Sequence, residues 1–216
     1  MLPEFLSLRA AQIQNIGTQN FSGCASISPM HSHILIIGGT GMLKEASIAL
    51  ASTTTTLSSV ARTKRSLSAL DSALGDLKVT RHQLQLDWSN PREFTSSLST
   101  HVQRVGVPSL VVAWLHDDDL GIEVARCCSS AATRCDFFQV RGSSAAAPHA
   151  GASSFAQAFE ALPGINFHQV ILGFKRTPTG SRWLTNAEIS AGVLQAVKEA
   201  APLSIVGVVE PWDAAP

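Results

Sequence analysis

Tyrosine is absent from all 216 positions, so no phenol can serve as a proton donor in this chain. Long apolar runs are missing too. None approaches the ~20 residues that span a bilayer, so a membrane is not expected as a partner. Charge is scarce and balanced: Asp, Glu, Lys and Arg make up 15% of the chain and the formal net charge is +0. That balance leaves no electrostatic case for nucleic acid or an acidic membrane surface. The four cysteines (Cys24, Cys127, Cys128, Cys135) have no paired metal-ligand spacing, and no histidine cluster follows them. They read as reduced thiols packed in or near a helix of a cytoplasmic protein, and no metal is expected. Apolar residues, by contrast, are plentiful. At 45% hydrophobic and 22.8 kDa, the composition is that of one soluble α/β domain with ample core.

The segment His33-Ile34-Leu35-Ile36-Ile37-Gly38-Gly39-Thr40-Gly41-Met42-Leu43 is the strongest local signal. An apolar, β-branched run ends in three glycines among four residues, and a helix-compatible stretch follows from Lys44. A buried parallel strand that turns sharply into a helix has this pattern, and the helix N-terminus then faces a phosphate. Side chains in the turn would hold the backbone away from a diphosphate, and glycine accepts the positive φ values such turns use. The spacing departs from G-x-G-x-x-G, so the turn by itself also fits any parallel α/β protein.

The rest of the chain alternates strand-like and helix-like stretches. Strands are expected at 53–60, 79–86, 109–115, 136–140, 167–174 and 203–209, with helices over 64–75, from Asn90-Pro91, from Asp117 towards Ser130, over 153–162 and over 186–200. Gly75 stops one helix and Pro91 suits the first turn of another. With the strand before the glycines, this predicts a single doubly wound parallel sheet of about seven strands, Rossmann-like, with helices on both faces. Residues 1–30 hold no sustained period and read as an extension outside the fold, leaving 31–216 as the dinucleotide-binding domain. That extension lacks a secretory apolar core; its single acidic residue also suits a transit peptide, although one arginine is thin support.

Ligands of open parallel sheets sit beyond the carboxyl ends of the strands, so the residues there are the candidates. Gly38, Gly39, Thr40, Gly41, Met42 and Leu43 would cradle the diphosphate. Arg62 lies about 20 residues past the turn, where an NAD-binding fold places a carboxylate for the ribose 2′-hydroxyl. The neighbourhood here is Arg62-Thr63-Lys64-Arg65, cationic throughout, which favours the 2′-phosphate of NADP(H) over NAD(H), unless it is simply a solvated helix start. Asp87 could accept from an adenine amino group beside an apolar wall from Trp88, or could cap the following helix. Trp114 and His116 close the fourth strand. Asp117-Asp118-Asp119 suits a helix N-terminus better than a cation, because consecutive carboxylates converge poorly on one ion. Ser143 and Ser144 close the fifth strand near the expected nicotinamide position, and Lys175-Arg176 follows the sixth. Ser143, His116 and Lys175 are the candidate catalytic groups, with Ser144 and Trp114 on the cofactor side. Thr185 or Asn186 can cap the last long helix, with Glu188 in its first turn. Trp183 would then pack on the sheet edge, and Arg182 would be free to reach a phosphate or an acidic partner.

The glycine turn, Asp87 and Ser143 together resemble the short-chain dehydrogenase/reductase superfamily over residues 31–210. More narrowly, Gly38-Gly39-Thr40-Gly41-Met42-Leu43, Val111-Val112-Ala113-Trp114-Leu115-His116, Gly142-Ser143-Ser144, Ser181 to Ser190 and Glu210-Pro211-Trp212 resemble a small, divergent bacterial branch of it. The resemblance implies a Rossmann fold, a nicotinamide dinucleotide and dimerisation through helices flanking the sheet; it supplies no substrate. It also implies a catalytic tyrosine with a lysine four residues on. The stretch where that pair would sit reads Ser153-Ser154-Phe155-Ala156-Gln157-Ala158-Phe159 and holds neither. An enzyme on this frame would need another acid. The expectation is therefore an atypical NADP(H)-dependent oxidoreductase acting on a small organic substrate. The alternative is a non-catalytic dinucleotide sensor or regulatory protein. An isomerase or epimerase ranks behind both, since it normally wants the same tyrosine.

Overall fold

The computed structural model describes residues 30–146, 152–211 and 215–216. Residues 1–29 of the extension expected over 1–30, with Cys24, the loop residues 147–151 and Trp212, lie outside the described residues. Seven parallel strands form one sheet: β1 (His31–Ile37), β2 (Thr54–Ala61), β3 (Thr80–Gln85), β4 (Leu110–Trp114), β5 (Cys135–Gly142), β6 (Ile165–Leu172) and β9 (Leu203–Val206). Their order is β3-β2-β1-β4-β5-β6-β9. The chain starts at the middle, builds outward to β3, then crosses back to lay β4 against the free side of β1. That reversal is the switch point at the carboxyl ends of β1 and β4, where open α/β sheets place their ligand crevice. The register pairs Ile37 with both Val60 and Ala113, so the chain leaves β1 level with the ends of β2 and β4.

Both faces are covered, as a parallel sheet requires. Helices α3 (Pro91–Val105), α4 (Asp118–Cys128) and α5 (Ala152–Glu160) cover one face. Their Phe94, Leu98, Leu120, Val124, Phe155 and Phe159 pack there against Leu35, Ile37, Val111 and Phe137. Helices α1 (Lys44–Ala51), α2 (Lys64–Leu74) and α6 (Asn186–Glu199) cover the other, where Leu50, Leu74, Ile189 and Val193 meet Ile34, Ile36, Val112 and Phe138. Residues of β1 thus alternate between two cores, which is why Ile34 to Ile37 reads as an unbroken apolar run and is at most 1% exposed. Among the described residues no helix is long and apolar enough to cross a membrane.

The expected rhythm holds, with one element unforeseen. The sixth strand leaves the sheet at Leu172, not Phe174, and the chain then forms an antiparallel hairpin of β7 (Phe174–Thr177) and β8 (Gly180–Trp183). Gly173 is where the direction changes; a Cβ there would lie 2.1 Å from the Val208 carbonyl oxygen, so the two backbones touch. The last strand likewise ends at Val206. Val208 instead forms an antiparallel bridge with Phe174. Four-residue strands reading Phe-Lys-Arg-Thr and Gly-Ser-Arg-Trp carry no alternating pattern by which the hairpin could be recognised. Of the cysteines described, Cys128 on α4 and Cys135 on β5 are buried and Cys127 is half-buried; burial pushes all three thiols up, Cys135 to about 12.

Candidate dinucleotide site

The three glycines of the turn do different work. Gly38 has φ +76°, and a Cβ on it would lie 3.1 Å from Trp114 Cβ and from the Trp114 carbonyl oxygen. Its N–H donates to the Val60 carbonyl at 3.0 Å. Gly39 is buried, with a Cβ position 2.4 Å from Ser47 Oγ and 2.5 Å from Ile36 Cγ2. The Ser47 hydroxyl lies 2.9 Å from both the Gly39 and the Leu43 carbonyl oxygens and clamps α1 onto the turn. Gly38 therefore serves the close contact of the turn with β4, and Gly39 the packing of α1 on β1, rather than ligand approach. Gly41 is the open one. It is exposed, and a Cβ there would meet nothing within 4 Å. Leu43, the residue before α1, provides no side-chain cap. The Lys44 N–H turns back to the Gly41 carbonyl at 3.0 Å, and the positive end of the helix faces the switch point. The Met42 carbonyl accepts from Ser190 Oγ at 2.9 Å, which ties the turn to α6. Thr40 and Met42 are half-buried and Leu43 is buried.

At the end of β2, the exposed Arg62 lays its guanidinium over the Trp88 ring, 5.0 Å from the centroid. The sequence offered these two residues separately, Arg62 for a 2′-phosphate and Trp88 as a wall beside Asp87; the structure brings them together from the ends of β2 and β3. Asp87 differs from its alternative reading as a helix cap. Its Oδ1 accepts from Ser89 N–H at 3.0 Å, a local turn that holds the carboxyl below the usual range, with Arg62 helping. Asn90 caps α3 instead, since its side chain accepts from Glu93 N–H. Thr63 caps α2, accepting from Ser66 N–H at 3.2 Å, so this hydroxyl is occupied in the scaffold.

On the other side of the crevice, Trp114 meets His116 edge-on at 5.0 Å, with His116 exposed. Asp117 caps α4 by accepting from Leu120 N–H at 3.1 Å, as its sequence position suggests. Ser143 and Ser144 lie in a single 3₁₀ turn, Ser143–Ala146, rather than in an irregular loop. No hydrogen bond joins Ser143, His116 and Lys175 to one another among the described residues. A cluster the sequence did not suggest sits beside Ser143: Arg141 pairs with Asp118 and places its guanidinium 4.3 Å over the Phe155 ring. Its members come from β5, α4 and α5, and no local pattern connects them. Phe155 and Phe159 lie four residues apart in the stretch where the resemblance implied a tyrosine and a lysine. Both are core: Phe159 is 0% exposed and stacks on Phe167 at 4.1 Å.

The expectation that Arg182 is free is corrected. Its guanidinium grips Glu188 with Nη1 at 2.7 Å and Nη2 at 2.8 Å, and Lys175 Nζ donates to the same carboxylate at 3.0 Å. Hairpin and helix are close enough for this because β7 leads directly out of β6. Thr185 and Glu188 form a complete capping box, and Arg182 holds the Glu188 carboxyl well below its usual range. Trp183 does not pack against the sheet edge; it is 52% exposed, because its hairpin partner Phe174 takes the buried position. Glu188→Ala removes half the box and the forked ion pair, and should cost about 1–2 kcal/mol in urea denaturation.

The sequence matches no protein-family model and no curated protein. The fold, however, is widely shared among solved structures. The bulky-bulky ketone specific alcohol dehydrogenase from Comamonas testosteroni superimposes with a TM-score of 0.61 at 17% identity, over 84% of this chain and 89% of that one. A short-chain dehydrogenase from Sphingobium yanoikuyae, solved in complex with NADPH, gives 0.61 at 16% identity, over 85% and 91%. An oxidoreductase of the short-chain dehydrogenase/reductase family from Burkholderia thailandensis gives 0.61 at 15% identity, over 82% and 91%. At these identities the likeness is one of fold: a Rossmann-like doubly wound α/β sheet.

Proposed function

We propose that this chain binds NADP(H) across the carboxyl ends of β1, β2 and β4 and acts as an oxidoreductase on a small organic carbonyl or alkene. The observation that carries this reading is the uncapped start of α1 beside Gly41, where a Cβ would meet nothing within 4 Å, at the switch point of the sheet. Backbone donors there suit a diphosphate. The Arg62–Trp88 stack suits the adenosine end, because Arg62 can reach a 2′-phosphate from the face of the ring. Trp114 lines the middle, and Ser143, Ser144 and His116 offer polar contacts for the nicotinamide and substrate. The likeness to dehydrogenases and oxidoreductases solved with NADPH and with NAD supports a nicotinamide dinucleotide, and the cationic Arg62 carries the choice of NADP(H). When bound, the nicotinamide would supply the hydride chemistry, and the chain's own residues would orient the reactants.

The absence of tyrosine and the burial of Phe155 and Phe159 favour one second reading, a dinucleotide sensor without turnover. Partners in either case are a small-molecule ligand and a second copy of the chain, with no nucleic acid and no membrane.

Fluorescence titration with NADPH and NADH tests the binding. Arg62→Glu should weaken NADPH by about 10- to 100-fold (about 1.4–2.7 kcal/mol) and leave NADH nearly unchanged. An unchanged ratio of the two affinities refutes the assignment of Arg62. NADPH consumption across a carbonyl and enone panel then separates oxidoreductase from sensor.

A further inference from the structure

A second polar cluster lies away from the crevice, inside the core beneath α3. We propose that His33, Ser58 and His101 form a one-proton relay that latches α3 onto β1 and β2 when neutral and releases it on acidification. His33 is 4% exposed, Ser58 0% and His101 4%, yet all three are hydrogen-bonded in one line. His33 Nδ1 is 3.0 Å from the Gly106 carbonyl oxygen, His33 Nε2 is 2.8 Å from Ser58 Oγ, and Ser58 Oγ is 2.8 Å from His101 Nε2.

The partners dictate every proton in the line. A carbonyl oxygen only accepts, so His33 Nδ1 carries hydrogen and donates to Gly106. Neutral His33 must then accept at Nε2, and the Ser58 hydroxyl donates to it. Ser58 oxygen is left to accept from His101, which therefore carries its hydrogen on Nε2 and has a bare Nδ1. Three donors meet three acceptors, and the line is complete with no net charge.

One added proton alters this in a defined way. On His101 it goes to Nδ1 directly. On His33 it goes to Nε2, which then donates to Ser58. The Ser58 hydroxyl hydrogen loses its acceptor in the line unless it turns towards His101 Nε2 and the His101 hydrogen moves to Nδ1. Either route undoes the neutral pattern of the line, and no protein hydrogen bond reaches His101 Nδ1 among the described residues. An added charge on a ring only 4% exposed is disfavoured by lost hydration.

The surroundings reinforce the penalty. The charges acting on His101 are all potential cations: His82 from β3, with its ring centroid 5.3 Å away, His33 from β1, and Arg104 one turn further along α3. Strand β2 contributes only the neutral Ser58. Burial and these neighbours push His101 down to about 4, and burial with His82 pushes His33 down despite the Gly106 hydrogen bond. A histidine whose folded value is depressed gives stability that is complete above its unfolded value of about 6.5 and is lost as the pH falls below it. The mechanical consequence is local. Gly106 ends α3, so the His33–Gly106 bond fastens the end of that helix to β1.

The test is pH-dependent hydrogen exchange on the full chain between pH 7.5 and 5, with rates corrected for intrinsic pH dependence. The opening constant of α3 amides should rise about 10- to 100-fold per pH unit below about 6.5, one factor of ten for each ring kept neutral. Amides of α6 should not follow. His101→Gln keeps a donor for Ser58 but cannot titrate, and should remove one factor of ten from that slope. A flat α3 profile, or one unchanged by His101→Gln, overturns the proposal. Should that variant fail to fold, nitrogen-15 spectra of the wild-type imidazoles decide. The relay requires hydrogen on His33 Nδ1 and on His101 Nε2 at pH 7.5; the opposite tautomers, or titration of both rings near 6.5, overturn it.

Discussion

Gly41→Asp should leave the melting temperature within about 2 °C of the parent yet weaken NADPH by on the order of 100-fold, about 2.7 kcal/mol. The side chain has room, since the Cβ position meets nothing within 4 Å. A carboxylate at the start of α1 even complements the helix dipole, so the fold has no reason to suffer. What it does is occupy, with the wrong charge, the space where a diphosphate would take the same donors. Gly39→Ala is the matched control. Its methyl would sit 2.4 Å from Ser47 Oγ and 2.5 Å from Ile36 Cγ2, which should cost about 3 kcal/mol of stability by overpacking. Thermal denaturation alongside NADPH titration checks both. If Gly41→Asp binds NADPH as the parent does, the diphosphate does not lie at this turn.

Phe159→Lys, which puts a lysine into the stretch where the resemblance implied one, should cost about 4 kcal/mol or more and yield no activity. Phe159 is 0% exposed and touches the rings of Phe137, Phe155 and Phe167 at centroid distances of 5.3, 5.1 and 4.1 Å. An ammonium there loses the aromatic packing and finds only apolar neighbours. Urea denaturation reads the loss directly. Phe155→Tyr is the milder partner change, because Phe155 is 9% exposed and already lies under the Arg141 guanidinium. Full stability in Phe159→Lys would mean that α5 can turn this face outward, contrary to the packing described.

Much of the frame was legible along the chain. The apolar run into Gly38, the stop at Gly75, the cap at Asp117 and the box begun by Thr185 each depend on residues within one turn of one another. Local chemistry suffices for them. Asp87 shows the limit of that approach. Two polar residues, Asp87 and Asn90, could each start α3, and only the backbone path chose Asn90 and turned Asp87 onto Ser89. Arg182 shows it more sharply: the residue looks free in the sequence because the hairpin that swings it onto Glu188 has too few residues to announce itself.

By itself the sequence determined the α/β alternation, the turn after β1 and the lack of any phenolic acid, since periodicity, glycine and composition are properties of adjacent residues. The tertiary structure decided who meets whom: Arg62 with Trp88, Arg141 with Asp118 and Phe155, His33 and His101 through Ser58. Those meetings depend on strand order and register, and an alternating pattern of strands and helices is compatible with many orders. Only the packed sheet, with β4 laid beside β1, selects one.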